Sequence, residues 1–179
     1  MSEDQLQNQS QMENIESTEN DNQYLTFIMD DEEYGVEIIK VQEIRGWSKV
    51  TPIPKAPSYV KGMINLRGQI VPIIDMRERF GLEHREYTNT TVVVVFHVRH
   101  TSGEQITGFV VDAVSDVHNF TKDSIKQLPD IGDDETTQFV EGVATIDDRM
   151  IIILDMNKLF GAQEMQQINA ISQQNQDVA

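Results

Sequence analysis

Two stretches 80 residues apart limit what this chain can fold into: "VKGMINLRGQIVPIIDMRERFG" at residues 60–81 and "VEGVATIDDRMIIILDMNKLFG" at residues 140–161. Seven of the 22 aligned positions are identical (Val60/Val140, Gly62/Gly142, Ile73/Ile153, Asp75/Asp155, Met76/Met156, Phe80/Phe160 and Gly81/Gly161), and several more exchange one apolar residue for another. Such self-similarity at a fixed offset marks a duplicated structural unit. A weaker echo precedes it, "YGVEIIKVQEI" at 34–44 against "TGFVVDAVSDV" at 107–117. Together they predict two related β units, at about 34–81 and 107–161, with strands exchanged or interleaved between them. The centres of the long repeats differ, however. Asn65, Arg67 and Gly68 stand in the first copy where Thr145, Asp147 and Asp148 stand in the second.

The local patterns are those of strands. "YLTFIM" at 24–29, the polar run "DDEE" and "YGVEI" from Tyr34 form a predicted hairpin. "TVVVVFHVR" at 91–99 is rich in β-branched residues, and "TSGE" at 101–104 turns it back into "ITGFVV" at 106–111. Buried strands of this kind suit a barrel or a sandwich. Both long repeats end alike: Asp75 and Asp155 stand at N-cap positions, Met76 and Met156 lie four residues before Phe80 and Phe160, and Gly81 and Gly161 follow as stops. Each predicts a short capped helix. Pro72, which corresponds to Ile152, lacks an amide hydrogen and predicts an unused ladder position, as at an edge or bulge.

Charge then narrows the partners. The chain carries 14 basic and 30 acidic side chains, a formal charge of −16, which argues against general nucleic-acid binding. Residues 1–22 hold six acids and no base and are expected to be a disordered acidic tail. Residues 38–79 reverse the balance, with eight bases (Lys40, Arg45, Lys49, Lys55, Lys61, Arg67, Arg77, Arg79) against Glu43, Asp75 and Glu78. That segment reads either as an ordinary solvated face or as a docking surface for an acidic partner. No apolar run reaches the ~20 residues of a membrane span, and the N-terminus lacks the pattern of a secretion signal, so a cytoplasmic location is expected.

Catalytic constellations are not found. There is no cysteine, hence no disulfide, thiolate nucleophile or Cys-ligated metal. Phosphate loops, nucleophile elbows and H-E-x-x-H helices are missing too. His97 and His100 are expected on a strand and at its turn, on opposite faces, and with His84 and His118 they suggest no metal site. The pairs Asp133–Asp134 and Asp147–Asp148 read as turn residues. Arg67 stands apart, in "NLRG", where Asn65 and Gly68 supply turn-tolerant positions and Leu66 an apolar anchor. Two readings stay open for Arg67: a solvated surface ion pair or an interface anchor.

The stretches "DDEEYGVEIIKVQEIRGW", "VKGMINLRGQIVPIIDMRERFG", "TVVVVF" and "GFVVDAVSDV", in this order over about residues 23–161, resemble the CheW-like family of chemotaxis coupling proteins. The resemblance implies a mainly β fold, two interleaved five-stranded SH3-like β-barrels with short helices. It further implies an adaptor with no catalytic activity and no cofactor, whose partners are the cytoplasmic tip of transmembrane chemoreceptors and the regulatory domain of the histidine kinase CheA. Val41, Glu43 and Ile44 from "KVQEI", with Val92 and Val93, would border a groove between the barrels that takes the receptor's helical hairpin. Arg67, its turn shaped by Gly62 and Gly68, would serve receptor and kinase coupling, and the loop with Asp130 and Ile131 would touch the kinase. From residue type alone, Val41 reads equally as core.

Two relatives share such a domain, but 18 residues after Gly161 leave no room for the receiver of CheV, and a kinase of the CheA type needs a nucleotide-binding domain before it. A scaffold in another signalling pathway would look the same. A small-molecule-binding β-barrel, the reading from a different class, predicts a ligand-sized pocket with convergent polar groups. In the Gln-rich segment 162–179, Met165, Ile168 and Ile171 have helix-compatible spacing, so it either packs on the barrels or stays mobile.

Overall fold

The structure, a computed structural model, describes residues 23–100, 103–129, 137–159 and 170; of His100 it describes the backbone alone. The expected tail at 1–22, Asp130, Ile131, Phe160 and Gly161 lie outside the described residues.

Each half of the chain forms five strands and a short helix in the same order. The first half runs β1 (Gln23–Met29), β2 (Glu32–Glu37), β3 (Val41–Gly46), β4 (Val60–Leu66), β5 (Gln69–Asp75) and α1 (Met76–Arg79). The second runs β6 (Val92–His100), β7 (Gly103–Val111), β8 (Ala113–Asn119), β9 (Val140–Ile146), β10 (Arg149–Leu154) and α2 (Met156–Leu159). The β1–β2 turn is tighter than "DDEE" suggests. Asp30 and Asp31 take it alone, with φ of 54° and 65°, while Glu32 and Glu33 already pair in β2. Aspartate tolerates that left-handed backbone better than most residues, and two such residues make the turn whose twist matches a hairpin. The caps form as the sequence predicts: Asp75 accepts hydrogen bonds from the amides of Arg77 and Glu78, and Asp155 accepts one from that of Asn157 at 3.0 Å.

The ten strands make two sheets. Sheet I has the order β8-β1-β2-β10-β9 and sheet II the order β3-β6-β7-β5-β4. The first hairpin of each half therefore sits in the sheet completed by the other half: β1–β2 beside β8–β10, and β6–β7 beside β3–β5. Two short parallel joints attach the exchanged hairpins, β2 to β10 with Ile153 opposite Gly35, and β5 to β7 with Ile73 opposite Gly108. The same solution serves both joints. A Cβ on Gly35 would lie 2.8 Å from Ile153 Cδ1, and one on Gly108 2.6 Å from Ile73 Cδ1, so each glycine makes room for the isoleucine of its partner strand.

Side chains alternate along these strands between two kinds of core. Val71, Ile73, Val93, Val95 and Val110 fill the inner face of sheet II, while Tyr24, Phe120, Ala144, Ile151 and Ile153 fill that of sheet I. The opposite faces of both sheets meet in a larger shared core with Phe27, Met29, Ile74, Phe96, Phe109, Leu154, Met156 and Leu159. Pro72 does not lie on an edge strand, because β5 is flanked by β4 and β7. Its partner Met63 directs both backbone groups to Thr51, away from β5, so the Pro72 nitrogen faces the β7 side, one residue before the parallel ladder begins at Ile73. The strand is locally an edge there.

Candidate functional site

The β4–β5 turn is built from its backbone outward. Leu66 and Gln69 pair across it, Arg67 and Gly68 have φ of 51° and 89°, and Asn65 Oδ1 accepts a hydrogen bond from Gly68 N at 2.8 Å. Asn65 thus braces the turn by its side chain, and Arg67 itself takes the left-handed backbone expected of Asn65. Leu66 is buried and anchors the turn, as its position predicts. The second half repeats this turn with Asp147 and Asp148 at φ of 48° and 63°. One scaffold therefore presents a cation at one tip and two carboxylates at the other.

Arg67 extends into solvent, its side chain 77% exposed, with its guanidinium 3.6 Å from the carboxylate of Glu43 on edge strand β3. That separation is longer than a hydrogen bond. Glu43 Oε2 is buried and accepts no hydrogen bond, which leaves the carboxylate only partly satisfied by its ionic neighbour.

Cross-strand pairing sorts the other expected residues onto two faces. Ile44 pairs with Val94 of the shared core, and Val41 and Val92 pack on that core, so these three line one margin where β3 and β6 meet. Ile44 is 45% exposed there. Glu43 pairs with Val95 and so faces the inner core of sheet II together with Val93, which is fully enclosed. A bulge between Val41 and Glu43 produces this change of face. Gly62 does not shape the Arg67 turn. It lies five residues before Arg67, at a bulge of β4 where the chain passes against Thr51.

Of the eight bases in 38–79, Arg67 faces Glu43 and four more are engaged within the chain. Lys40 pairs with Glu37, Lys61 with Glu78, and the Arg79 guanidinium lies 5.5 and 5.0 Å from the ring centres of Tyr59 and Phe139. Arg77 is the most buried. Its guanidinium donates to Asp112 and Asp30, each at 2.8 Å, and to the Glu83 carbonyl at 3.0 Å, while Asp112 also accepts from the Asp30 amide. The positive segment is thus in part internal ion pairing. Nothing local in the sequence marks this network, because its members come from residues 30, 77, 83 and 112.

Asp75, Glu78 and His84 form the one group of convergent metal-type ligands among the described residues. The two carboxylates also have other partners: Asp75 accepts from the Tyr87 hydroxyl at 2.7 Å and from Arg77 N, and Glu78 pairs with Lys61. Burial, and then the bond to Asp75, raises the Tyr87 hydroxyl pKa well above its ordinary value. A hollow of about 260 Å³ between Asp75, Arg77, Tyr87 and Asp112 is lined by these mutually paired groups. Among the described residues, the polar groups of this hollow are hydrogen-bonded or ion-paired mainly with one another.

A family model described as the CheW-like domain matches residues 23–164. The chain belongs to the CheW-like family. It is 39% identical to the Chemotaxis protein CheW of Klebsiella aerogenes over 150 residues, 84% of this chain and 88% of that protein. The Chemotaxis protein CheW of Treponema pallidum is 30% identical over 83% of this chain and 89% of its own length. Among solved structures, the scaffolding protein TtCheW from Thermoanaerobacter tengcongensis superposes with a TM-score of 0.71 at 35% identity, covering 80% of this chain and 94% of that one. The chain is therefore a CheW-like scaffold of mainly β fold, and no helix among its described residues is long and apolar enough to cross a membrane.

Proposed function

We propose that the chain is a non-catalytic adaptor joining the cytoplasmic tip of chemoreceptors to the regulatory domain of CheA, at the cytoplasmic side of the receptor array. The observation that carries the reading is the Arg67 tip: a cation held on a rigid turn, largely exposed, beside a carboxylate that it only partly satisfies. A partner that offers Arg67 an acid, or Glu43 a donor, gains a charge-assisted contact at small cost to the free protein. The neighbouring margin of Val41, Ile44 and Val92 suits the apolar stripe of a receptor helix. Gly68 keeps the tip narrow, Gly62 and Val93 hold the strands behind it, and the loop with Asp130 and Ile131 belongs to the kinase side of the adaptor. The two repeats form two barrel subdomains within 23–161 that have exchanged their first hairpins. Coupling then follows if receptor geometry changes which contacts the adaptor offers the kinase, since a signal passes only through contacts that differ between states.

The test is purified protein mixed with a receptor cytoplasmic fragment and CheA, comparing wild type with Arg67→Ala for complex formation and kinase activity. The exposed Arg67–Glu43 pair contributes about 0–1 kcal/mol, so the variant stays folded. Loss of ternary complex and kinase coupling in a folded variant is the expected result. Wild-type protein that binds neither partner overturns the function, and a variant that couples normally removes Arg67 from it.

A further inference from the structure

Three donor atoms from three side chains converge beside α1. His84 Nδ1 lies 3.3 Å from Glu78 Oε1 and 3.8 Å from Asp75 Oδ2, and the three donors all fall within 4.8 Å of one another. A zinc ion bonded tetrahedrally at about 2.0–2.2 Å holds its ligands about 3.3–3.6 Å apart. The His84–Glu78 separation meets that spacing and the His84–Asp75 separation exceeds it slightly. The Asp75 side chain is 2% exposed and that of His84 48%, so a buried carboxylate is reached from solvent past a half-exposed imidazole.

We infer that Asp75, Glu78 and His84 form a binding site for one divalent cation of the zinc class, with a remaining coordination position left to water. The donor set selects the ion. Two carboxylates neutralise a divalent charge, and the imidazole nitrogen favours zinc and its neighbours over magnesium and calcium, which prefer oxygen throughout. The ligands are also held in place by groups outside the set, as metal ligands are. The Tyr87 hydroxyl donates to Asp75 Oδ2 at 2.7 Å and the Arg77 amide to Oδ1 at 2.9 Å, while Lys61 pairs with Glu78 Oε2, which leaves Oε1 beside His84. The His84 ring stands edge-on to that of Tyr87, with centres 5.4 Å apart. Arg77, the other cation close to Asp75, is neutralised by Asp30 and Asp112.

The duplication separates this set from what the fold requires. Asp155 repeats the cap of Asp75, but Lys158 stands where Glu78 stands and comes within 4.0 Å of Asp155, so the second half keeps the cap and loses the donors. Glu78 and His84 are thus additions to one copy of a shared scaffold. The histidines alone suggest no such site; the cap carboxylate and its neighbour on α1 supply the other ligands. Bound there, the ion ties the connection between α1 and β6, where the two halves of the chain join, to the helix before it. This inference is independent of the proposed partners.

The test is a calorimetric titration of the untagged full-length chain with zinc chloride, after removal of metal by EDTA and dialysis. Millimolar magnesium in the buffer occupies the weak all-oxygen sites of an acidic chain, and the absence of cysteine leaves no thiolate to compete. One equivalent of zinc should bind. His84→Ala and Glu78→Gln should each weaken that binding about tenfold or more, and Tyr87→Phe, which removes the group that orients Asp75, about tenfold. His97→Ala, at an exposed position on β6, should leave it unchanged. In nitrogen-15 spectra of the wild type, zinc should shift the ring signals of His84 and not those of His118, a readout that holds even if a variant does not fold. Absence of a one-equivalent zinc site, affinity equal in wild type and folded His84→Ala, loss of binding in His97→Ala, or an unmoved His84 ring overturns the assignment.

Discussion

Replacing Gly62 by alanine should destabilise the fold by about 3 kcal/mol, more than the same change at the repeat-equivalent Gly142. At Gly62 φ is 151°, and an added Cβ would lie 2.2 Å from the carbonyl oxygen of Thr51 and 2.7 Å from its carbon. Both are backbone atoms that cannot rotate away. They are held by the reciprocal Thr51–Met63 bridge, with hydrogen bonds of 3.0 and 2.8 Å. Relief requires opening that bridge, at roughly 0.5–1.5 kcal/mol for each hydrogen bond, and placing alanine in unfavourable backbone at about 1–3 kcal/mol. Restriction of the unfolded chain by alanine returns only about 0.4–1 kcal/mol. Gly142 faces a similar bridge between Lys126 and Val143, but the approach to Lys126 O is 2.7 Å, and no left-handed backbone is imposed. Its substitution should cost about half as much. Urea unfolding followed by circular dichroism measures both variants, with the slope m unchanged if only the native state is affected. A Gly62→Ala cost below about 1 kcal/mol, or one smaller than that of Gly142→Ala, would refute the reasoning that backbone crowding dictates glycine there.

Three further outcomes are open to measurement. Arg77→Met should cost about 3 kcal/mol in the same urea assay, at the low end for a broken buried ion pair, because Asp30 remains partly exposed and Arg85 stands 3.7 and 3.9 Å from the two stranded carboxylates. Burial, reinforced by Glu141 and Glu37, pushes the Tyr24 hydroxyl up to about 12 from its ordinary 10.0. A raised folded pKa stabilises fully below the unfolded value and is lost as pH rises through the folded one, so the urea midpoint should fall between pH 10 and 12, and fall less in Tyr24→Phe. Desolvation, then Glu37 and Asp155, raises the Glu141 carboxyl above its ordinary 4.5. The same sign rule makes Glu141→Gln slightly more stable than wild type at pH 7, an advantage that a thermal melt should see vanish as the pH drops below that range.

Much of the scaffold was legible because duplication records it twice. The caps Asp75 and Asp155, the two tips 80 residues apart and the valine-rich strand all appear where their patterns place them. The hairpin exchange was legible only as a general expectation, since an alternating strand satisfies its pattern in either sheet and register across 70 or more residues leaves no local mark. The residues expected to dock fall on two faces for a related reason. Val92 and Val93 are adjacent and alike in type, but the pleat sends one to the margin of the shared core and the other inside sheet II. Gly62 is placed with the turn only by the family resemblance, whereas in the structure it is set by a close approach to Thr51 across a connecting loop. Arg77, one of eight bases in a segment that reads from sequence either as a solvated face or as a docking surface, is an internal tie between elements that meet only in three dimensions.

The exchanged hairpins also set an order of assembly on the ribosome. Sheet II draws on a continuous stretch from Val41 to Val111, so all its strands are available once that stretch has emerged. Hairpin β1–β2 is made first but must wait for β10, which starts about 110 residues later. At a synthesis rate of about 5–20 residues per second, its apolar face of Leu25, Phe27 and Met29 stays without its final partners for roughly 5–20 s. During that interval the β10 of a neighbouring nascent chain offers the same parallel joint. Two chains that trade hairpins in this way would form an entwined dimer, so closely spaced ribosomes on one message favour a product that isolated refolding at low concentration does not.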